Sequence, residues 1–454
     1  MNPAAQHSHW ALPDLSGLKA HAPWLLVDAS KAPGDVSGYL AAGVKRSLTL
    51  DRPEPDAFGQ VEAFVGAGKG RCFGWLGYDQ LRADTMLDLP PQAPVHVELP
   101  VVHWIEAEGV LAFSGSGPSA KLQWLTRPSD TGLVALMESA VHQPVAPSGQ
   151  PQGEGSAVES SLCADAYRTA FDKVHAHILR GDVYEMNLCR ELRGSLPQGF
   201  SGDAAFGALV GRTLAPYSAH ISFGSVDILS ASPECFLERQ GDRLVSRPIK
   251  GTAPRHQDPA ADAAAAERLR TDIKERAENV MITDLVRNDL SRVAAPASVE
   301  VDELCGIHSF RNVHQMVSTV SCVVRPGARF SDILHATFPM GSMTGAPKLR
   351  AMEITADTEP VMRGLYSGTL GWADPDGNGD VGDFHLNVVI RTAVADTRAG
   401  RWSAHVGGAI TALAKPAAEW EETRLKAQAI LDVLGGTEAL ARQKTPNPQR
   451  GGSL

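Results

Sequence analysis

Short strand-like segments joined by tight turns are the feature that most restricts how this chain can fold. Such segments, with turn residues between them, occupy residues 218–231, 234–247, 363–373, 381–395 and 401–411. Strands that follow one another through hairpin turns pair in antiparallel fashion. Helical patterns arrive separately, at 261–288 and 416–434, instead of alternating with each strand. The sequence therefore predicts an α+β fold of antiparallel sheets, and it argues against a doubly wound parallel sheet.

Composition and charge exclude several classes of function. The 454 residues carry a formal net charge of −10, and no segment has the concentrated basic surface that phosphate backbones require, so nucleic acid is not an expected partner. No apolar run approaches the roughly 18 residues of a membrane helix, and the first residues lack the pattern of a secretion signal. The six cysteines have no paired or metal-finger spacing. We therefore expect a cytoplasmic protein with reduced thiols and no membrane association.

One stretch rich in Pro, Gly, Ser and Gln interrupts the chain at 142–160 and is predicted to be a linker or surface loop. It would separate an N-terminal β-rich subdomain, residues 1–141, from a catalytic region at 161–436. The polar segment 437–454 is predicted to be a disordered tail.

Two predicted helices each carry a pair of glutamates three residues apart, Glu275 with Glu278 and Glu419 with Glu422. This spacing places both carboxylates of a pair on one helix face. Solvated helix faces show the same spacing, so each pair alone has an ordinary explanation. If the two helices met, the four carboxylates would need a cation between them. Mg²⁺ suits such a site because it binds one or two carboxylates and leaves room for a substrate oxygen.

The Gly-rich stretch GSMTGAPK, residues 341–348, resembles a phosphate-binding loop only in part. That loop needs a contiguous Gly-Lys-Ser/Thr, whereas Ala346 and Pro347 separate Gly345 from Lys348. We therefore do not predict a nucleotide site. The free N–H groups of a Gly-rich turn that opens a helix would instead suit a carboxylate.

Eight motifs in order resemble the chorismate-utilising enzymes, and together they span about residues 164–434. They are SPE (232–234), PIKGT (248–252), KERAENVMITDLVRNDLSRV (274–293), VHQMVS (313–318), GSMTGAPKLRAMEI (341–354), RGLYSGTLGW (363–372), VVIRT (388–392) and EWEETRLKA (419–427). The resemblance implies two large antiparallel β-sheets packed as a sandwich with flanking helices, as in anthranilate synthase component I. It also implies a Mg²⁺-dependent site for chorismate.

The resemblance assigns roles to individual residues of this chain. Glu278 and Glu422 would hold the metal, with Glu275 and Glu419 beside them as direct or water-mediated ligands. Arginine suits a carboxylate ligand because its planar fork matches the two oxygens. The residues implied in substrate binding are Gly251, Thr252, Gly345, Tyr366, Arg391, Gly407, Gly408 and Lys426.

Lys250, within PIKGT, distinguishes between the chemistries of the family. Anthranilate and isochorismate synthases have a sequence similar to PIAGT or PLAGT at this position, with alanine in place of the lysine. PIKGT instead resembles the sequence of the aminodeoxychorismate synthase component I group. A deprotonated lysine can attack C2 of chorismate as the C4 hydroxyl leaves. Ammonia then attacks C4 and expels the lysine, which gives 4-amino-4-deoxychorismate. Glu234 is our first candidate for protonating the departing hydroxyl, and His314 is the second.

Position 185 also distinguishes among the chemistries of the family. Isochorismate and salicylate synthases have a lysine at the position that this resemblance aligns with Glu185, and that lysine activates water. This chain has glutamate there. Water attack on C2 would therefore lack its base.

No glutaminase nucleophile motif is present, so we expect ammonia to come from a separate glutamine amidotransferase subunit. The product would feed p-aminobenzoate and folate biosynthesis.

Other interpretations remain open at this point. The chain could be anthranilate synthase component I, which eliminates pyruvate after amination and serves tryptophan biosynthesis. It could also be a chorismate-binding subunit with little turnover. The second alternative draws on Ala409 in GGAITALAKP, where the family more often has a third glycine.

Overall fold

The computed structural model describes residues 12–28, 35–84, 87, 89–115, 117–143, 157–310 and 313–438. Most of the predicted linker and of the predicted tail lies outside these ranges. The described ends of both segments form two short strands, in which Ala157 pairs in parallel with Thr437. The division of the chain into segments at 141 and 161 stays a prediction.

Twenty strands are present in the described part of the chain. They are β1 (Trp24–Asp28), β2 (Gly38–Leu50), β3 (Cys72–Leu76), β4 (Val102–Ser114), β5 (Lys121–Thr126), β6 (Ala157–Ser160), β7 (Glu185–Ser195), β8 (Tyr217–Phe223), β9 (Val226–Ser232), β10 (Cys235–Gln240), β11 (Arg243–Arg247), β12 (Ile249–Pro254), β13 (Glu300–Ser309), β14 (Val313–Val323), β15 (Gly345–Ala346), β16 (Thr369–Pro375), β17 (Val381–Val388), β18 (Thr392–Asp396), β19 (Arg401–Ile410) and β20 (Thr437–Glu438).

Ten α-helices accompany these strands within the described residues. They are α1 (Ala57–Gly66), α2 (Leu81–Asp84), α3 (Thr131–His142), α4 (Ala164–Leu179), α5 (Gly202–Thr213), α6 (Pro259–Thr271), α7 (Ile273–Ser291), α8 (Phe330–Thr337), α9 (Lys348–Thr358) and α10 (Pro416–Leu434). No helix in these parts of the chain is long and apolar enough to cross a membrane.

Antiparallel pairing joins the principal strands in one continuous series. Its order is β14, β11, β10, β17, β16, β3, β4, β2, β1, β8, β9, β18, β19 and β7. The series folds over on itself, because Trp75 and Leu370 from its first half share a buried cluster with Ile221 and Val394 from its second half. The predicted α+β sandwich of antiparallel layers is confirmed. The difference from the prediction is that β2 and β4 connect the two layers by hydrogen bonds.

N-terminal strands belong to these same two layers. β1 pairs with β8 from Trp24↔Ile221 onward, and β3 pairs with β16 through Trp75↔Leu370. Each pair joins residues that lie far apart in sequence. Folding of the N-terminal stretch is therefore coupled to folding of the part that carries the eight motifs.

Helices cover the outer face of each layer. On the first layer, α1, α7 and α8 contribute apolar residues such as Phe58, Ile282 and Ile333 to one buried cluster. On the second layer, α3, α5 and α10 contribute residues such as Leu209 and Ile430 to another. The two glutamate-bearing helices, α7 and α10, therefore pack on different layers and approach each other at one end of the sandwich.

The predicted helix over 261–288 is wrong in one respect, because two helices occupy this stretch. Asp272 has extended backbone angles between α6 and α7, and its carboxylate accepts a hydrogen bond from the N–H of Glu275. An aspartate in this position satisfies a free N–H at the start of a helix. The break places Glu275 and Glu278 in the first two turns of α7.

Packing between the two layers predicts a measurable stability effect at Leu370, which is 1% exposed. Replacing it by alanine should lower the free energy of unfolding by about 2–5 kcal/mol, because the neighbouring side chains can fill only part of the cavity that the removed atoms leave. Urea unfolding would measure the change. The control is Leu179→Ala at a 67% exposed helix end, where we expect a change below about 0.5 kcal/mol. Equal effects of the two substitutions would contradict the assigned interior.

Candidate active site

A cavity of about 640 Å³ lies where β12, β14 and β19 meet α7 and α10. Its volume is within the range of small-molecule sites. Most of the residues that the sequence assigned to catalysis, substrate or metal line it. They are Glu234, Lys250, Gly251, Thr252, Glu275, Glu278, Tyr366, Arg391, Gly407, Glu422 and Lys426.

Lys250 lines this cavity and forms a buried ion pair with Glu185. The distance from Nζ of Lys250 to Oε1 of Glu185 is 2.7 Å. Glu185 is 2% exposed, and its other carboxylate oxygen has no hydrogen-bond partner among the described residues. Burial would lower the pKa of Lys250, but the Glu185 carboxylate outweighs it and the pKa is raised. The lysine is thus an ammonium ion in the free protein.

Glu234 lies between β9 and β10 and is buried, with Lys250 and Lys426 as nearby charges. Oε1 accepts a hydrogen bond of 2.7 Å from the Ser342 hydroxyl. Burial raises the pKa of Glu234 to about 7, against the opposing effect of the Ser342 hydrogen bond. A carboxyl group with such a pKa exists in both protonation states near neutral pH. It can therefore donate a proton to a leaving group and recover it afterwards.

Carboxylates from α7 and α10 come together in the same cavity as Lys250 and Glu234. Burial raises the pKa of Glu278 to about 7, and it also raises the pKa of Glu275 and Glu419. Lys274 lies between the helices, with Nζ 3.7 Å from Oε1 of Glu278 and 3.5 Å from Oε1 of Glu419. The carboxylates thus crowd one another enough to favour added protons or a cation.

This set of residues fits a hard divalent cation. Oε1 of Glu278 is buried without a hydrogen-bond partner among the described residues. A Cβ atom on Gly408 would lie 3.4 Å from Oε2 of Glu419 and 3.7 Å from Oε1 of Glu422. Glycine therefore leaves open the space in front of the α10 carboxylates. Carboxylate oxygens beside such a space are the donors that Mg²⁺ prefers.

Arg391 is the cationic residue of the cavity that has no carboxylate partner within the described parts of the chain. It occupies the left-handed region, with φ of 50°, at the turn between β17 and β18. Burial lowers its pKa from the usual value. A half-buried guanidinium without an anion is less favourable than one whose charge a ligand balances. Arg391 is therefore suited to bind an anionic ligand.

Tyr366 and His405 form one wall of the cavity. Their rings stack with centroids 5.4 Å apart, and the Tyr366 hydroxyl accepts a weak hydrogen bond from the Cys189 thiol at 3.9 Å. Burial lowers the pKa of His405 to about 3, so the imidazole is neutral, and its Nε2 has no hydrogen-bond partner among the described residues. Tyr366 was predicted from the sequence, whereas His405 was not.

Lys426 lies at the opposite side, and its charge is already balanced. Nζ is 2.6 Å from Oε1 of Glu422 and donates a 3.0 Å hydrogen bond to the carbonyl of Gly407. The ion pair lowers the pKa of Glu422, although burial alone would raise it. Lys426 therefore fixes the position of a predicted metal ligand, in addition to facing the cavity.

The structure does not bring His314 to the cavity. Its Nδ1 lies 2.8 Å from the Ser309 hydroxyl, and its Nε2 lies 3.0 Å from a carboxylate oxygen of Asp262. The neighbouring residue on β14, Gln315, lines the cavity instead. Successive residues of a strand face opposite sides, so only one of the two can point inward. Glu234 is thus left as the candidate acid.

Gln315 is a cavity residue that the sequence analysis missed. It pairs with Thr252 across β12 and β14, and residues paired in this way present side chains on the same face. Because Thr252 was predicted to face substrate, strand pairing could have identified Gln315. Its Oε1 is buried without a hydrogen-bond partner among the described residues, so it can accept a hydrogen bond from a ligand.

Three other predicted residues border the cavity less directly. Glu419 and Gly408 lie behind its wall, close to each other. Gly345 is farther away and pairs with Met186 of β7. With φ of 149°, it lets the chain approach so closely that a Cβ would come within 2.2 Å of the Glu185 carbonyl. Gly345 therefore supports the strand that carries Glu185.

A separate cluster of Cys235, Glu238 and His385 has its potential ligand atoms within 4.8 Å of one another. An Nη1 atom of Arg247 already lies 2.6 Å from Oε2 of Glu238 and 3.8 Å from Sγ of Cys235. This guanidinium supplies the positive charge that a metal would bring. The cluster is therefore a buried polar network of the sandwich, and the carboxylates of α7 and α10 remain the candidate metal site.

Comparison with known proteins agrees with this geometry. A family model described as chorismate binding enzyme matches residues 31–432. Aminodeoxychorismate synthase component 1 of Klebsiella aerogenes is 36% identical over 380 residues, which cover 80% of this chain and 77% of that protein. Anthranilate synthase component 1 of Streptomyces coelicolor is 34% identical over 390 residues, which cover 82% and 74% of the two chains.

A solved structure shares the fold. Anthranilate synthase component I from Streptococcus pneumoniae TIGR4 superimposes with a TM-score of 0.73 at 21% identity, over 88% of this chain and 92% of that one. The family match extends over most of the chain and includes every residue that lines the cavity. The chain therefore belongs to the chorismate-binding enzyme family.

Proposed function

We propose that this protein aminates chorismate to 4-amino-4-deoxychorismate through a covalent bond to Lys250. The observation that carries the proposal is the position of the Lys250 side chain, which projects into the cavity opposite Glu234 and the α7 and α10 carboxylates. The similarity to aminodeoxychorismate synthase component 1 supports it. Ammonia would come from a separate glutamine amidotransferase subunit, and the product would serve p-aminobenzoate and folate biosynthesis in the cytoplasm.

Chorismate carries two carboxylates, and the cavity offers separate partners for them. Arg391 would bind one through its guanidinium, beside the Tyr366 hydroxyl. The other would lie toward α7 and α10, where Gly407 and Gly408 leave room next to the glutamates. Arg391 at one end of the cavity and the glutamates at the other would together determine which face of the chorismate ring is turned toward Lys250.

The acidic end of the cavity would hold Mg²⁺. Glu278 and Glu422 would bind it, and Glu275 and Glu419 would contact it directly or through water. When bound, Mg²⁺ supplies positive charge that binds the ring carboxylate and stabilises negative charge during the displacements. Lys274 would then be released from Glu278 and Glu419, because the metal would neutralise the same carboxylates.

Both reacting groups, Lys250 and Glu234, line the cavity. Nζ of Lys250 would form a bond to C2 while the C4 hydroxyl departs, and Glu234 would protonate that hydroxyl so that it leaves as water. Ammonia would next attack C4, and the C2–N bond would break with its electrons returning to Lys250. Glu234 would take up the proton that the new amine releases.

Anthranilate synthase component I is the second candidate, because a relative with this name is 34% identical over most of both chains. That enzyme class eliminates pyruvate after amination and has no need of a lysine at position 250. The buried Lys250–Glu185 pair is the observation against it. An ammonium group is costly to bury without a function.

Lys250→Ala tests the covalent route. With chorismate, Mg²⁺ and ammonium, we expect mass spectrometry to show 4-amino-4-deoxychorismate from the wild type and at least about 100-fold less from the variant, because the nucleophile is gone. Lys250→Arg is the matched control. It keeps the ion pair with Glu185 but cannot lose its proton, so it should also be inactive. Anthranilate and pyruvate from all three proteins would instead establish the second candidate.

Metal binding can be tested at Glu278. Removal of divalent cations with a chelator should abolish amination, and Glu278→Gln should weaken Mg²⁺ binding by about 10- to 100-fold because one anionic ligand is lost. Titration calorimetry with Mg²⁺ measures this without turnover. Glu353→Gln on the exposed face of α9 removes the same charge outside the cavity and should leave Mg²⁺ affinity unchanged. Equal affinity of the Glu278 variant and the wild type would refute the assigned ligand.

The pKa of Glu234 predicts a pH dependence of stability. Below its ordinary pKa the carboxyl is protonated in both the folded and the unfolded chain, so burial costs nothing. As pH rises toward the folded value of about 7, only the unfolded chain ionises freely, so the folded state loses stability. Glu234→Gln removes this cost. Relative to wild type, the variant should gain about 2 kcal/mol between pH 5 and pH 8.

Urea unfolding at the two pH values measures this difference. Glu278 titrates in both proteins, so its contribution cancels. Glu300→Gln on an exposed strand position is the control, because an exposed glutamate has no burial to relieve. If Glu234→Gln showed no gain at pH 8 over pH 5, the buried, proton-exchanging state of Glu234 would be disproved.

A further inference from the structure

The Lys250–Glu185 pair raises a chemical question that the proposed function leaves open. Lysine attacks carbon only as the neutral amine, because an ammonium nitrogen has no lone pair. In the free protein Nζ lies 2.7 Å from a carboxylate oxygen, which stabilises the ammonium form. A group within reach of Nζ must therefore remove a proton before the attack.

Four carboxyl groups on different elements face Lys250. They are Glu185 at the start of β7, Glu234 before β10, Glu278 on α7 and Glu422 on α10, and Glu275 on α7 is a fifth. Glu234 has its own hydrogen bond with Ser342, and Glu422 is paired with Lys426. Within the described part of the chain, only Glu185 lies within ion-pair distance of Nζ. Proton transfer over a single hydrogen bond is therefore open to Glu185 alone.

We propose that Glu185 is the catalytic base that accepts a proton from Nζ of Lys250 and so generates the nucleophile, an inference that rests on the proposed function. One oxygen of Glu185 contacts Nζ, and the other has no hydrogen-bond partner among the described residues. A carboxylate with few competing donors is a better proton acceptor than one that is fully hydrogen-bonded. The raised pKa of Lys250 agrees with the resting ion pair.

Entry of substrate and metal would favour the transfer. A cation held by the α7 and α10 carboxylates would oppose an ammonium at Lys250, and substrate that fills the cavity would remove water from the pair. A buried ion pair converts to a neutral pair when its surroundings no longer stabilise separated charges. The neutral pair is amine plus carboxylic acid, which is the reactive state.

The reaction balances with these groups. Glu185 takes one proton from the ammonium, the amine forms the C2–N bond, and the C4–O bond breaks as Glu234 protonates the leaving hydroxyl to water. Ammonia forms the C4–N bond, and the C2–N bond breaks to return a neutral amine. Glu234 recovers a proton from the new C4 ammonium group, and Glu185 returns its proton to Lys250. Chorismate and ammonia thus give the amino product and water, with both glutamates restored.

The backbone around Glu185 is fixed in a way that suits this role. Glu185 pairs with Ala346 of β15, and the adjacent Met186 pairs with Ile410 of β19. The N–H of Tyr184 donates a 2.7 Å hydrogen bond to the carbonyl of Ala346. Strands on both sides therefore hold the residue, and its carboxylate can keep contact with Nζ through the cycle.

Glu185→Gln tests the inference, because glutamine keeps the shape and a hydrogen-bonding oxygen but cannot take the proton. In the ammonium-dependent assay we expect kcat at pH 7.5 to fall about 100-fold, while KM for chorismate changes less than about threefold. Between pH 8 and pH 10 the ratio of the variant's kcat to the wild-type kcat should rise by about tenfold per pH unit, since solvent must accept the proton in the variant, while ionisation of Glu234 and of ammonium affects both proteins alike and cancels in the ratio. Glu185→Asp should recover a large part of kcat.

Asp289→Asn is the matched control. Asp289 forms a buried 2.8 Å pair with Lys348 outside the cavity, so its loss should lower the melting temperature but leave the pH profile of kcat unchanged in shape. A purely structural Glu185 would behave in the same way, with lower stability and no new dependence on pH. That result would overturn the inference.

Lys250→Ala separates the inference from the function on which it rests. If Lys250→Ala is inactive and Glu185→Gln retains the wild-type kcat and pH profile, Lys250 is the nucleophile and the inference about Glu185 fails alone. If Lys250→Ala retains full activity, the covalent route itself is refuted and the inference falls with it. Loss of activity in both variants, with the steep pH dependence in Glu185→Gln, is the expected result.

Discussion

Buried charge at one end of the sandwich is the constraint on which the site depends. Glutamates from α7 and α10 lie in a space where burial disfavours their ionised forms, and Glu185 of β7 is buried beside Lys250. Each is paired with a lysine or bears a raised pKa, and Lys274, Lys250 and Lys426 supply the balancing charges. Charges buried in this way persist only where pairing offsets desolvation. The arrangement therefore has the polarity of a site for a cation and an anionic substrate.

The fold is what brings these groups together. Lys250 is on β12, which pairs with β14 at the start of the strand series, Gly407 is on β19 in its second half, and the two helices cover different layers. Only at the end of the sandwich, where both layers and both helices approach one another, do residues separated by more than a hundred positions share one cavity. Continuous pairing through β2 and β4 fixes the layers relative to each other, and so it fixes the distances within the site.

Much of the site could be predicted from the sequence because its residues lie in short motifs with fixed local geometry. Glutamates three apart on a helix must share a face, so their placement follows from a local rule. Strand residues are harder, as His314 and Gln315 show. A shift of one position reverses the face of a strand residue, and nothing in VHQMVS indicates which of the two faces inward.

Other features depend on contacts that the sequence does not encode locally. Asp272 is compatible with a helix interior and with a cap, and its extended backbone follows from how α6 and α7 pack around β12 to β14. The joining of the two layers depends on pairing between distant strands, such as β3 with β16. His405 became identifiable only once Tyr366 was placed against it. Long-range packing, rather than local preference, decides each of these cases.

Lys250 and Glu185 illustrate how such packing constrains the chemistry. The two residues are 65 positions apart, and each would be unfavourable without the other, because a single buried charge is far more costly than a pair. A chain with lysine at 250 and a neutral residue at 185 would hold its ammonium by weaker contacts. Its amine would form more readily, but no carboxylate would be in place to accept the proton. The pair in this chain thus combines a stable resting state with a proton acceptor at contact distance.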